Sequence, residues 1–158
     1  SGIVIFSKTS KSLSRMSRLI KDRKIKKKYY AITENAPQTK KGTLINFLKK
    51  NQKKNKSYVV NANEPKSKKA ILHFKLIKKL KKYFLLELEL VTGRHHQIRC
   101  QLANINCVIK GDVKYGARRK NKDKSICLHA KNIEFIHPTT KVKISLHAVP
   151  PENTIWSK

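Results

Sequence analysis

Acidic side chains are scarce in this chain. Only 9 of its 158 residues are Asp or Glu, against 38 Lys and Arg, which gives a formal net charge of +29. Such an imbalance predicts a polyanionic partner, most simply RNA. Lysine supplies 31 of the 38 cations, a bias that an AT-rich genome also imposes on protein surfaces. That bias explains the lysines better than it explains the shortage of acids, so RNA remains the favoured interpretation.

Long apolar runs and paired cysteines are also missing. No stretch approaches 18 apolar residues, so no membrane span is expected, and the apolar segment Ile3-Val4-Ile5-Phe6 is too short for a signal peptide. Three cysteines, an odd number, argue against a disulfide framework and for a reducing compartment, the cytoplasm. Cys100 and Cys107 lie seven residues apart and no Cys-x-x-Cys pair exists, so we expect buried thiols and no metal site.

The length predicts one domain over residues 1–158, and the hydrophobic patterning predicts more strand than helix. Alternation or apolar runs indicate strands at 1–7, 27–34, 58–60, 70–78, 83–91, 126–136 and 141–147. Helical spacing of Leu13, Met16, Leu19 and Ile20 indicates a helix capped by Thr9 or Ser10. A short helix is predicted over 43–50, with Leu44, Phe47 and Leu48 inward, and another over 97–105. Hairpin connections make the expected class α+β, with a mixed, largely antiparallel sheet and flanking helices.

The most informative segment is Gly93-Arg94-His95-His96-Gln97-Ile98-Arg99. It follows a predicted strand and opens the predicted helix over 97–105. Helix N-termini favour anions, and two arginines there indicate recognition of phosphate or carboxylate.

This segment resembles the third motif of the RluA-type pseudouridine synthases, enzymes that isomerise uridine in RNA. Further landmarks of the family follow in order: the segment from Ile109 to Ala117, then Leu128-His129-Ala130, then Phe135-Ile136-His137-Pro138, while Lys28-Tyr29-Tyr30-Ala31 resembles its tyrosine motif. The resemblance covers nearly the whole chain. It implies a pseudouridine synthase-like fold with a catalytic cleft across the sheet, an RNA substrate (rRNA or tRNA), and no cofactor. We also expect a monomer.

The resemblance places the family's nucleophilic aspartate outside the chain. That aspartate precedes a Ser-Gly pair by four residues, and Ser1-Gly2 matches the pair. The aspartates within the chain are Asp22, Asp112 and Asp123, none of them in that motif. We therefore expect a catalytic domain that is incomplete at its N-terminus, and a 158-residue chain that binds RNA without turning it over.

The remaining site residues also follow from the resemblance. Arg99 would keep the nucleophilic carboxylate ionised, the alternative being an arginine that caps carbonyl groups. Tyr29 would stack on the detached uracil, with Tyr30 as the alternative, because alternation along a strand lets only one of them enter the cleft. Both could instead be core aromatics.

Supporting roles are expected for several other landmark residues. Arg94, His96 and Gln97 would shape the cleft or touch the RNA backbone. Asp112 and Tyr115 would fix a turn beside the cleft rather than take part in the chemistry. His129 would make a structural hydrogen bond, with a general-base role as the minority interpretation. Asn106 stands where the family often has glycine, and asparagine tolerates the left-handed conformation that such a turn uses.

Contacts to the RNA backbone are expected from the basic face of the first helix and from basic segments of the loops. The candidates are Arg15, Arg18, Arg23, Lys27, Lys28, Arg118 and Arg119, together with the lysine-rich turn 78–82. Three functions remain open: a pseudouridine synthase, a non-catalytic RNA-binding module with the same fold, and a basic structural protein of the ribosome.

Overall fold

The computed structural model describes residues 1–152 and 155–157 of the chain. Within them lie two α-helices and seven β-strands. The helices are α1 (Ser10–Lys21) and α2 (Gln97–Asn104), and the strands are β1 (Lys26–Thr33), β2 (Lys41–Asn51), β3 (Lys56–Val60), β4 (Lys68–Lys79), β5 (Phe84–Leu90), β6 (Leu128–Ile136) and β7 (Lys143–His147). Two short 3-10 helices, Val113–Tyr115 and Ile155–Ser157, complete the elements.

All seven strands form one sheet in the order β3-β2-β4-β5-β1-β6-β7, and every pair of neighbouring strands is antiparallel. The predicted α+β class with a largely antiparallel sheet is therefore confirmed. None of the described helices is long and apolar enough to cross a membrane.

The predicted strand over 1–7 is wrong except at its first residues. Gly2 forms a single parallel bridge to Ala130 of β6, and Ile3 donates to the Ala130 carbonyl oxygen. The same edge of β6 pairs with β7 from Asn132 onward, so little edge remains for the N-terminal segment. Beyond the bridge, Phe6 is 86% exposed and belongs to no strand of the described residues.

The predicted helix over 43–50 is also wrong, because these residues belong to β2. The helical spacing of Leu44, Phe47 and Leu48 coincides with an alternating pattern, in which Leu44 and Leu48 turn to the core face of the sheet while Ile45 is exposed. Pairing with β3 on one side and β4 on the other satisfies the backbone of this segment. Tertiary pairing outweighs helical propensity here.

One face of the sheet carries the main core and α2. Leu72 of β4 and Leu88 of β5 are fully buried there, and Ile98 and Leu102 of α2 pack with them. By contrast, no residue of α1 is buried. Its N-terminus is capped by Thr9, whose hydroxyl accepts a hydrogen bond from the backbone N–H of Ser12. The predicted helix is confirmed, but it lies on the domain rather than in its core.

The chain between α2 and β6 folds back onto the sheet. Ile109 forms a bridge with Thr33 at the end of β1, and Lys110 donates its backbone N–H to the Ile32 carbonyl oxygen. Asn106 adopts the left-handed conformation, with φ of 59°, so it performs the turn expected of it. This return brings Asp112 under the start of α2, where the candidate site lies.

Candidate active site

The loop that leads into α2 is held by the side chain of Gln97. Its Oε1 accepts hydrogen bonds from the Thr92 hydroxyl (2.8 Å) and the Arg94 backbone N–H (2.9 Å), and its Nε2 donates to the Ile71 carbonyl oxygen (3.0 Å). Only 3% of Gln97 is exposed. These hydrogen bonds fix the loop, and the expected role of Gln97 in shaping the cleft or touching the RNA backbone stays a prediction.

Arg99 is bound from one side by a buried carboxylate. Its Nε donates to Asp112 Oδ2 and its Nη2 to Asp112 Oδ1, both at 2.7 Å. The Asp112 side chain is 1% exposed and that of Arg99 18%. A two-point pair of this kind fixes the plane of the guanidinium as well as its position.

His96 binds Arg99 from another direction. Its Nε2 lies 3.0 Å from Arg99 Nη1, and its Nδ1 lies 3.2 Å from the Tyr115 hydroxyl. Because arginine can only donate, Nε2 must be the unprotonated, accepting nitrogen. The Tyr115 hydroxyl donates to the Ser57 carbonyl oxygen and accepts from the Ser57 N–H, so His96 Nδ1–H donates to that hydroxyl. The neutral Nδ1–H tautomer satisfies the whole network.

The electrostatics of the cluster agree with this assignment. Burial and the neighbouring Arg99 cation lower the pKa of His96 to about 4, so the imidazole is neutral at pH 7. His95, which stacks on His96 with ring centroids 3.9 Å apart, also has a lowered pKa, owing to desolvation and then to Lys50. The left-handed backbone of His96 (φ 50°) is a strained conformation for a non-glycine residue. It turns the imidazole toward the guanidinium.

Arg99 retains capacity for a further anion. Its five N–H donors supply two bonds to Asp112 and one to His96, so one N–H on each terminal nitrogen has no partner among the described residues. The cation also lies over the Tyr115 ring, 4.9 Å from its centroid. An ionised carboxylate or a phosphate could bind the two remaining donors.

The two tyrosines of β1 lie on opposite faces of the sheet. Tyr29 is the cross-strand partner of Leu88, which is buried on the α2 face, and it lines a cavity of about 530 Å³. Burial raises the pKa of Tyr29. The Tyr30 hydroxyl instead contacts Lys131 Nζ, which lies 3.0 Å from Glu87 Oε2. Tyr29 thus shares a face with α2, although no hydrogen bond or ring contact joins it to Arg99 within the described part of the chain.

Two of the remaining landmark side chains have separate positions. Arg94 donates from Nε to the Lys69 carbonyl oxygen and stays partly exposed. His129, 1% exposed, lies 3.0 Å from both the Ser1 hydroxyl and the Ala148 carbonyl oxygen, which fits the structural hydrogen bond expected of it.

The expected RNA-contacting residues are spread over the surface rather than gathered in one place. Arg15 donates to the Thr139 hydroxyl, and Lys28 lies 3.9 Å from Glu89. Arg18 and Arg23 are exposed on and beside α1, and Lys27 lines the same cavity as Tyr29. Arg118 and Arg119 do meet the lysine-rich turn, since both line a cavity of about 500 Å³ with Lys82 and Lys110.

Asp112 and Ser57 are the members of the cluster whose contacts with its other side chains were not predicted from the sequence. The sequence assigned Asp112 to a turn, and the structure adds a direct ion pair with Arg99. The landmark Gly111-Asp112 could have predicted this ion pair, because an isolated carboxylate in so basic a chain is expected to pair with a cation. Ser57 lies on β3, far from the other members in the sequence, and no sequence pattern indicated its contact with them. In residues 1–152 and 155–157 no three His, Cys, Asp or Glu side chains converge as a metal site would require.

Comparisons with known proteins agree with this architecture. The family model for RNA pseudouridylate synthase matches residues 1–104. The chain is 36% identical over 156 residues to ribosomal large subunit pseudouridine synthase C of Buchnera aphidicola, covering 94% of this chain and 49% of that protein. It is 32% identical over 153 residues to an uncharacterized RNA pseudouridine synthase, YhcT, of Bacillus subtilis, covering 96% and 49%. The chain thus spans about half the length of these curated relatives.

A solved structure has the same fold. The human RNA pseudouridylate synthase domain containing 1 superposes with a TM-score of 0.74 at 18% identity, over 91% of this chain and 62% of that one. The matched model, the relatives and the ordered landmarks around Arg99 lead to one conclusion: this chain belongs to the RNA pseudouridylate synthase family and is an RluA-type member of it.

Proposed function

We propose that the protein isomerises uridine to pseudouridine in RNA, and that the Arg99 cluster holds the carboxylate that does the chemistry. The proposal rests on the geometry of the Arg99 guanidinium. Asp112 and His96 fix its position, and two of its N–H donors have no partner among the described residues. A cation placed in this way keeps a neighbouring carboxylate ionised in a site that excludes water.

The reaction needs only a few groups and no cofactor. The bond between C1′ of the ribose and N1 of the uracil breaks, the base turns, and C1′ bonds to C5. The C5 proton leaves to solvent and N1 takes up a proton, so atoms and electrons balance. The uridine must first leave its stack. Tyr29, on the α2 face of the sheet, is the side chain we propose for stacking on the detached base.

The nucleophile is proposed to be an aspartate four residues before Ser1. Each aspartate within the chain has another position: Asp22 ends α1, Asp123 hydrogen-bonds Ser125 in an exposed loop, and Asp112 is paired with Arg99. Asp112 is 1% exposed and so is poorly placed to reach a ribose.

The substrate proposed is rRNA. Several relatives are named as synthases of the large ribosomal subunit, among them those of Buchnera aphidicola and Rickettsia prowazekii. A tRNA substrate is the alternative. The three buried, free cysteines suit a reducing compartment, so we propose that the reaction takes place in the cytoplasm. The monomer expected from the sequence stays a prediction.

The test is tritium release from rRNA and from tRNA labelled at uridine C5. Two proteins are compared: the 158-residue chain, and the chain extended by the residues that precede Ser1 in its native reading frame. We expect release by the extended protein on rRNA, none by the 158-residue chain, and none after Arg99→Ala in the extended protein. Release by the 158-residue chain would overturn the upstream nucleophile.

A non-catalytic RNA-binding module is the second candidate, and the net charge of +29 is the observation that favours it. It predicts that the extended protein binds both RNAs tightly and releases no tritium from either. In that case Arg99→Ala should leave the affinity for RNA almost unchanged.

A further inference from the structure

A basic groove lies at the β3 edge of the sheet, beside the Arg99 cluster. We call it the β3 groove. Its walls come from the β2–β3 hairpin, the turn before β4 and the loop before α2, and its volume is about 970 Å³. Its lining residues are Leu48, Lys49, Lys50, Asn51, Gln52, Lys53, Ser57, Tyr58, Val60, Lys66, Lys68, Gly93, Arg94 and His95.

The charge of this groove is of one sign. Six of the lining side chains are Lys or Arg and none is acidic. Lys49 is paired with Glu64, but Lys50, Lys53, Lys66 and Lys68 have no ion pair or hydrogen bond through their ammonium groups in the described part of the chain, and all four are exposed. Concave walls that carry uncompensated cations concentrate a polyanion.

The groove also offers an aromatic surface. Tyr58 lines the groove at the β3 edge and is 38% exposed. It shares a face with its cross-strand partner Lys49, whereas Lys50 and Ser57 lie on the opposite face. Proteins that bind single-stranded nucleic acid combine such rings, on which bases stack, with lysines that follow the backbone. An acidic protein segment would use the lysines but has no comparable use for the ring.

The groove is continuous with the candidate active site. His95 lines it, and its Nδ1 lies 3.0 Å from the Ser57 hydroxyl. The same imidazole stacks on His96, which contacts Arg99. Contacts between neighbouring side chains therefore connect the groove to Arg99 through His95 and His96.

We propose that the β3 groove binds the single-stranded RNA that flanks the target uridine, with phosphates on Lys50, Lys53 and Lys68 and with a base on Tyr58 where the RNA passes around the β3 edge. The proposal rests on the proposed function and adds to it the surface that positions the substrate. None of these four residues belongs to the RNA-contacting set expected from the sequence.

The test compares two triple variants of the 158-residue chain that remove equal charge. The groove variant is Lys50→Gln with Lys53→Gln and Lys68→Gln. The control variant is Lys75→Gln with Lys141→Gln and Lys143→Gln, three exposed lysines outside the groove. The probe is a fluorescent single-stranded RNA of about 20 uridines, titrated over a range of salt concentrations. Circular dichroism confirms that both variants are folded.

We expect the groove variant to lose about tenfold or more in affinity near 0.1 M salt. The slope of log K against log salt is negative, and in the groove variant it should become shallower by about 2. Each single-strand phosphate contact contributes about 0.7 to its magnitude. The control variant should stay within about threefold of the unmodified chain. Tyr58→Ala should weaken binding and Tyr58→Phe should restore it, because stacking needs the ring and not the hydroxyl.

The outcomes separate this proposal from the proposed function. If the groove and control variants bind RNA with equal affinity while the unmodified chain also binds it, the proposal for the β3 groove is overturned and the proposed function stands. If the unmodified 158-residue chain binds no RNA, the groove proposal is overturned, while tritium release by the extended protein still decides the proposed function. If polyglutamate displaces the RNA with equal affinity per charge, the groove is a general anion surface and the proposal is overturned.

Discussion

Arg99 and Asp112, 13 residues apart in the sequence, form two hydrogen bonds of 2.7 Å each between guanidinium and carboxylate. The pair ties the first turn of α2 to the loop that follows it. Because the carboxylate is almost fully buried, removing its charge leaves a partly buried cation without its counterion. The pair therefore links the stability of the domain to the geometry of its candidate site.

Asp112→Asn is expected to lower the free energy of unfolding by about 3 kcal/mol, the typical cost of breaking a buried pair by removing one partner. Urea denaturation measures it. Asp22→Asn, at the exposed end of α1, is the matched control and should stay within about 0.5 kcal/mol of the unmodified chain. Equal effects of the two substitutions would show that the Arg99–Asp112 pair contributes nothing to stability.

The lowered pKa of His96 predicts a pH dependence of stability. The unfolded chain protonates this imidazole near pH 6.5, whereas the folded chain does so only near pH 4. Between those values the unfolded state binds more protons, so stability falls as the pH drops from about 6.5 to about 4. Thermal unfolding measured across this range should show a melting temperature that decreases steadily as the pH is lowered.

A glutamine at position 96 can still accept from Arg99 but cannot titrate. His96→Gln is therefore expected to flatten the pH dependence, with a remainder from His95, whose pKa is also lowered. The control is His147→Gln on β7, where the side chain is exposed, and it should keep the full dependence. A His96→Gln curve that parallels the unmodified one would mean that another group causes the effect.

The positions of the β1 tyrosines predict unequal effects on turnover. In the protein extended to include the proposed nucleophile, Tyr29→Ala should reduce tritium release about 10- to 100-fold, the range of one lost base-stacking contact. Tyr30→Ala, on the opposite face, should reduce it less than about threefold. Melting temperatures of both variants serve as the folding control. The reverse order of effects would assign the stacking role to Tyr30.

The glycine before Asp112 is expected to be irreplaceable. Gly111 has φ of +85°, and a Cβ there would lie 2.6 Å from Asn121 Nδ2 and 2.7 Å from the Ser125 carbonyl oxygen. Gly111→Ala should cost about 2 kcal/mol. Gly93→Ala is the control, since a Cβ there meets nothing within 4 Å, and it should be nearly neutral. Urea denaturation distinguishes the two, and a neutral Gly111→Ala would contradict the close approach.

Much of the fold follows from local patterns, and the exceptions have local causes. The hairpin of β4 and β5 was predictable from its two alternating runs and lysine-rich turn. Strand β2 was not, because Leu44 and Leu48 lie four apart, a spacing that a helix face and one face of a strand both satisfy. Only pairing with β3 and β4, which local sequence does not report, decides between them.

The candidate site divides in the same way. Arg99 could be chosen from its motif and from the helix that the motif opens. Its contacts with His96 and with Asp112 depend on a left-handed backbone at one residue and on a loop that returns to β1. The role of Ser57 required a strand at the far edge of the sheet to reach Tyr115. Spatial neighbours of this kind leave no periodicity in a sequence.

The strand order also implies a sequence of events in folding. Strands β2 to β5 are joined by short connections and pair with close neighbours in the chain, so half of the sheet can form at low entropic cost. Strand β1, which carries Tyr29, forms its ladders with β5 and β6, and both lie far along the chain. We therefore expect β2 to β5, on which α2 packs, to gain hydrogen-exchange protection before β1 does. The face of the sheet that Tyr29 shares with α2 would then be completed last, when β6 pairs with β1.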